Sequence, residues 1–345
     1  MNTFDPAGDL AVQAPQTQPA GTMTRPIESN SVCLVTPSYW RDVELCELLC
    51  ESVDRHVTSY AKHYLVVADA EMRLFAKFNG PRREVLPASR LLPPWLRPLP
   101  GFLQRKKRRY WWSLRAKPVN GWHVQQLIKL RAACSLPYER FCVLDSDVVF
   151  FRPFDLSSYR RPHAIPAFCT LAGVTANAPL HAPWVRSSHR LLGLGPPQFP
   201  ADDFIGHIIF WDQRTVRAML ERIERVTGCE WADALCNARD FSEYLLYGYY
   251  LRGDPAHMAQ HRATGMLPCL SYWERRTLDA ASIRGIIDGA DDHHVAVSVS
   301  SMSETPVQVI RAALSAHAAE PAPVTRSRSS VRADVDAAAG TTTCS

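Results

Sequence analysis

No apolar run in this chain reaches the ~18 residues that a membrane-spanning helix needs. The opening stretch, MNTFDPAGDLAVQAPQTQPAGTMTRPIESN, has no basic region followed by an apolar one, so no signal peptide is predicted. Both absences predict a cytoplasmic protein without a transmembrane segment. Ten cysteines are present, at 33, 46, 50, 134, 142, 169, 229, 236, 269 and 344, yet none stands in a CxxC pair. Several lie inside apolar runs, where a free thiol behaves as a small hydrophobe; a reduced protein is predicted rather than a disulfide framework. A strong charge excess is also lacking. The net charge of +5 suits an anionic ligand and is too small to argue for nucleic acid. No internal repeat is found.

What is present is ordinary in bulk. Hydrophobic residues make up 46% and charged ones 21%, a soluble globular composition, and 345 residues suffice for one large α/β domain or two small ones. The 26 prolines predict many loops. Residues 1–30 and 317–345 are rich in small and polar residues and are predicted disordered, leaving a domain over 31–316.

Within that domain SVCLVT (31–36) reads as a buried strand and 41–57 as a helix, with Cys46, Leu49, Cys50, Val53 and Val57 on one face. HYLVVADAE (63–71) reads as a second strand ending in Asp69. Two strands around a helix predict a βαβ unit and a parallel sheet. Proline and glycine breaks predict no regular element over 79–120. GWHVQQLIKLRAAC (121–134) is predicted helical and RFCVL (140–144) a third strand, with VVFFRPF extended behind it. HAIPAFCT is predicted as a strand, 175–203 as a loop, and FIGHIIFWD (204–212) as a strand. A helix over 214–228 closes at Gly228. A helix over 240–253 and a last strand over 293–300 follow.

The stretch VLDSDVVFF carries the chemistry. Asp145 and Asp147 stand at the end of an apolar strand, where two adjacent carboxylates repel and their burial is costly. In an extended segment residues i and i+2 face one side, and ligands of open α/β sheets bind beyond the carboxyl ends of strands. A hard cation, Mg²⁺ or Mn²⁺, would relieve the repulsion and share its oxygens with a diphosphate. Since Asp and Ser also favour turns, a strand-capping turn is the alternative.

VLDSDVVFFRPF resembles the metal-binding DxD motif of GT-A-fold glycosyltransferases. LVTPSYWRDVELCELLCESV, GWHVQQLIKL and DFSEYLLYGYYL, in that order around it, are similar to a bacterial family of glycosyltransferase-like proteins of the DUF6492 type, over about 31–300. The resemblance implies a GT-A-like fold: a mixed, mostly parallel sheet flanked by helices. It implies a metal-dependent transferase using a UDP- or GDP-linked sugar donor and a glycan, lipid or protein acceptor. Thr36, Pro37, Ser38 and Tyr39 would meet the base or ribose, as would Asp69. Asp145 and Asp147 would hold the metal, with His293 or His294 as a third ligand. Lys129, with Gln125 one turn earlier, would face the aspartates or phosphates. Glu243 would be a general base, with Asp240 beside it as a second acid or as a helix cap; Asp202 and Asp203 are further candidates. The basic run RKKRRYWW (105–112) is expected to be a solvated loop, or else to grip an anionic glycan or lipid head group, leaving room for peripheral membrane contact.

Two other readings compete. DSDVV also fits the nucleophile motif of haloacid-dehalogenase-like phosphatases, with Asp145 as nucleophile and Asp147 as acid/base. Against this, about 110 ordered residues precede the motif and the segment behind it is extended rather than glycine-rich. A non-catalytic module binding nucleotide or carbohydrate is the other.

Overall fold

The computed structural model describes residues 28–100, 109–161, 163–238 and 240–319. The predicted disordered segments lie outside these, except that residues 28–30 open the first strand and 317–319 close the last helix. Residues 105–108 of the basic run lie outside as well.

The central sheet holds β1 (Glu28–Pro37), β2 (Lys62–Val67), β3 (Arg83–Pro87), β4 (Tyr138–Val143) and, after β5 (Val148–Phe150) in a smaller sheet, β6 (Ile209–Asp212). Its order is β6-β4-β1-β2-β3, parallel throughout except for β6. β1 is central because Val32, Cys33, Leu34 and Val35 are apolar on both faces and almost fully buried. Alternation splits them. Val32 and Leu34 pack on α1 (Val43–His56) through Leu49 and Val53. Cys33 and Val35 join the core under α2 (Gly121–Ser135), α3 (His181–Leu191), α4 (Gln213–Thr227) and α5 (Glu243–Gly253). The result is a mixed α/β fold whose mostly parallel sheet is flanked by helices. The smaller sheet, β7 (Cys269–Tyr272), β8 (Ala296–Val299) and β5, packs Val149, Val297 and Val299 against α6 (Ala280–Asp288) and α7 (Val307–Ala319). The nine cysteines among the described residues are free.

Four expectations need correcting. The region 79–120 is not wholly irregular: β3 pairs in parallel with β2, His63 opposite Arg83. Only five residues long and ending in Pro87, it left little pattern to see. The loop 175–203 contains α3. Pro183 sits in its first turn, where the missing N–H would have had no helical partner anyway. The strand predicted over 204–212 begins only at Ile209, because Ile208 has φ of +61°. Asp240 is exposed and outside α5, whose N-terminal flank is Ser242, so it neither caps the helix nor forms a capping box. Gly228 does end α4, in the left-handed region at φ of +73°.

One buried network fixes the register of β1, β2 and β3. Arg83 Nε donates to His63 Nδ1 at 3.3 Å, so His63 Nε2 carries the proton and donates to Thr36 Oγ1 at 3.0 Å. Burial, and then the charge of Arg83, hold the His63 pKa well below its ordinary value. The unfolded chain therefore takes up this proton first, and stability falls as pH drops below about 6.5. From His63 alone the thermal midpoint should be lower at pH 5 than at pH 7.5; the raised carboxyl of Asp42 acts in the opposite sense. His63→Asn should flatten that dependence only in part, since His123 and His261 are shifted in the same direction. An unchanged slope in the variant would contradict this assignment.

Candidate functional site

The carboxyl ends of β1 and β4 meet at the Asp145–Asp147 loop. The two aspartates do not share a side through strand alternation. Residues 146–147 form a turn, with Val148 N–H donating to Asp145 O at 3.2 Å. The turn that was the alternative reading of the motif is therefore present. Ser146 points inward and donates to Ser38 Oγ at 3.0 Å, pinning the turn to β1.

Asp145 is partly exposed, 33% of its side chain reaching solvent. Lys129 Nζ lies 2.8 Å from its Oδ1, and His207 Nδ1 lies 3.5 Å from its Oδ2. Burial opposes ionisation of Asp145, but Lys129 and His207 outweigh it and hold the carboxyl well below the usual range. Lys129 also donates to Glu243 Oε1 and to the Tyr244 hydroxyl, both at 3.0 Å. Its ammonium is buried, yet Asp145 and Glu243 keep its pKa raised. Asp147 accepts from Ser298 Oγ at 3.3 Å and from Ser301 N–H at 3.2 Å. Burial, and then the nearby Asp145 charge against the relief from His207, leave its carboxyl raised.

A third carboxylate joins them. Asp42, nearly buried just before α1, is pushed up to about 7 by burial and by Asp147 and Asp145. Tyr39, hydrogen-bonded to it, is pushed up to about 12 by burial first and then by Asp42.

His207 is only 2% exposed, and neither ring nitrogen has a hydrogen-bond partner. Trp273 stacks flat on the ring at 4.3 Å. Next to it, Ile208 is a β-branched residue in the left-handed region, an arrangement that costs of order 1–3 kcal/mol and is concentrated at functional sites. Gly206 completes the segment: a Cβ there would run into the Leu267 side chain.

The sequence-predicted residues divide. Asp145, Asp147, Lys129 and Glu243 are brought together. Gln125 is not the glutamine in the cluster; Gln126 is, its Oε1 accepting Glu243 N–H at 3.1 Å. Thr36 is fully buried against His63 and Ser38 is tied to Ser146, so neither meets a base, and Pro37 closes β1. Tyr39 alone of that loop borders the carboxylates. Asp69 is exposed in a turn after β2, its carboxylate accepting from the backbone and hydroxyl of Ser89. His293 is not near the aspartates. On the antiparallel β5–β8 ladder Ser298 faces Val148 and Ala296 faces Phe150, which puts His293 and His294 at the Arg152 end, roughly 15 Å from Asp147. There Asp291, His293 and His294 bring donor atoms within 4.8 Å of one another. Asp202 is held by Ala172 N–H and Arg252, and Asp203 by His181 and Ile205 N–H. Asp42 and His207 were missed. Asp42 reads as an acid at a helix start, and His207 as one residue of a strand.

Lys129 pairs with Asp145 and Glu243, and Asp42 and Asp147 stand beside Asp145 as further carboxylates. Carboxylate oxygens are donors of the kind a hard divalent cation takes, although the donor atoms of Asp42, Asp145 and Asp147 do not form a group within 4.8 Å of one another as those of Asp291, His293 and His294 do. A family model of unknown function, DUF6492, matches residues 29–321. No curated protein matches the chain.

Proposed function

Because this chain belongs to the DUF6492 family, whose function is unknown, we propose from its site that it is a metal-dependent glycosyltransferase drawing on a nucleoside-diphosphate sugar. The observation that carries the reading is the convergence of Asp42, Asp145 and Asp147, with Lys129 and His207, at the carboxyl edge of a mostly parallel sheet. That edge is where open α/β sheets take ligands. The strand order, with one antiparallel strand beside the motif-bearing β4, is compatible with a GT-A-like arrangement.

Asp42, Asp145 and Asp147 would hold a Mg²⁺ or Mn²⁺ ion, which when bound supplies neutralisation of a leaving diphosphate. The chain's own residues do the rest. Lys129 keeps Asp145 ionised and directed at the site. Ser298 and Ser301 fix Asp147. Glu243, 3% exposed and bonded to Lys129, acts as a positioning residue for the ammonium rather than as the base that meets the acceptor. Its carboxyl is raised by burial against the opposing Lys129 charge.

Thermal unfolding with UDP, GDP and other nucleoside diphosphates, with and without Mn²⁺, tests the proposal. A nucleotide at about a hundred times its Kd should raise the midpoint by several degrees, only with metal and not in Asp145→Asn. If no nucleotide stabilises the protein in a metal-dependent way, the reading is lost. The phosphatase alternative needs Asp145 as a free nucleophile, whereas Lys129 and His207 flank both its oxygens. Phosphate release from an aryl phosphate, abolished in Asp145→Asn, would favour that chemistry instead. Metal-dependent nucleotide binding without turnover of any donor would favour a binding module.

A further inference from the structure

A small antiparallel sheet stands immediately before α2. Tyr110–Trp112 pairs with Arg97–Pro98 on one side and with Val119–Asn120 on the other, Arg97 opposite Trp112 and Trp111 opposite Val119. Alternation sends Trp111 into the core and Trp112 outward, where it is 41% exposed. In the loop 113–118, Ser113 Oγ accepts from Arg115 and Ala116 N–H. This tight turn leaves Leu114 96% exposed. Arg97, Arg115 and Lys117 are exposed around these two apolar side chains. Arg115 lies 3.9 Å from Asp233, at the limit of an ion pair, and its guanidinium sits 5.8 Å from the Trp95 ring.

A leucine held this far out of the core contributes nothing to folding. Beside an outward tryptophan and three cations, it has the pattern of an interfacial anchor: apolar groups that enter the headgroup boundary and cations that meet anionic phosphates. Either signal alone binds weakly; stable peripheral attachment takes both. In sequence, Arg105, Lys106, Lys107, Arg108 and Arg109 come directly before this strand and add to the positive charge of the segment. No helix among the described residues is long and apolar enough to cross a membrane, so such a contact would be peripheral.

We propose that this hairpin docks the protein onto an anionic lipid bilayer, with Trp112 and Leu114 entering the interface and Arg97, Arg115 and Lys117 facing lipid phosphates. The hairpin is fixed to the body of the fold. Arg109 Nη1 lies 2.6 Å from Oε1 of the buried Glu71, in the turn that follows β2. That turn adjoins Tyr39, so the docking hairpin and the carboxylate cluster share one edge of the sheet. The inference does not depend on the reaction proposed for that cluster.

The test is co-sedimentation of the full chain with vesicles of phosphatidylcholine, alone or mixed with phosphatidylglycerol, at low and at high salt. Binding is expected to the mixed vesicles only, and to fall with salt. The double variant Trp112→Ser, Leu114→Asp should lower bound protein about tenfold or more, with its unfolding midpoint unchanged. Changing Arg97, Arg115 and Lys117 together to Glu should remove the preference for anionic vesicles. Failure to bind either vesicle overturns the proposal. So does equal binding by the double variant, which would mean plain electrostatic adsorption. Retention by neutral vesicles at high salt would overturn the role given to the cations.

Discussion

Lys129→Met is expected to cost about 3–5 kcal/mol of unfolding free energy at pH 8. The side chain it replaces is buried, and its ammonium bridges Asp145 at 2.8 Å and Glu243 at 3.0 Å. Methionine fills a similar volume, so the loss is electrostatic: Glu243 is left as a buried carboxylate with no cation. The molecule's remedy is to protonate that carboxyl, which burial already pushes up. The penalty should therefore be smaller at pH 5 than at pH 8. Lys129→Met combined with Glu243→Leu should recover most of the loss, since replacing both partners of a buried ion pair with apolar groups is often neutral. Urea unfolding of the three proteins at both pH values decides it. A single variant within 1 kcal/mol of the parent, or a double variant less stable than the single one, would contradict this account of the lysine.

Asp42→Asn should do the opposite, raising stability while weakening the site. The Asp42 carboxyl is pushed up to about 7 from an ordinary 3.8, by burial first and then by Asp147 and Asp145. The folded state therefore resists ionising it. Stability is lost as pH rises from about 4 to about 7, and the full penalty, on the order of 4 kcal/mol, applies above that. Asparagine keeps an oxygen for Tyr39 and removes the charge. The gain without metal should approach that figure at pH 8 and be well under half of it at pH 5. The same variant should lose most of the Mn²⁺-dependent stabilisation by nucleotide, because one oxygen donor of the cluster has lost its charge. Such a trade of stability against function is common where like charges are gathered for a ligand. If Asp42→Asn is less stable than the parent at pH 8 without metal, the three carboxylates do not strain the fold as described.

The sheet and the aspartate loop were legible because they rest on local signals. SVCLVT and RFCVL are apolar over lengths that only a doubly covered strand explains, and DSD follows directly on the second. The helix that delivers Lys129 was equally plain, but not which of its glutamines turns inward. Gln125 and Gln126, at i−4 and i−3 from Lys129, lie on the same helical side, and the packing of α5 selects Gln126. Asp42 and His207 carry no local mark. Their importance comes from neighbours over a hundred and over sixty positions away, and for His207 also from a left-handed Ile208 that no strand pattern foretells. β3 and α3 were hidden by prolines that signal loops in general but fall here where no N–H was needed.

The anchoring of Asp147 has a consequence for the order in which the chain assembles. Its two hydrogen-bond donors, Ser298 and Ser301, follow it by 151 and 154 positions. Strands β1 to β4 and helix α1 can pair while those donors are still absent, because their contacts are closer in sequence. The aspartate loop then settles only when β8 closes onto β5, a late event of high contact order. Until that moment Val148–Phe150 presents an apolar, unpaired strand edge. A chain halted before Ala296 would keep the central sheet and lose the geometry of its aspartates.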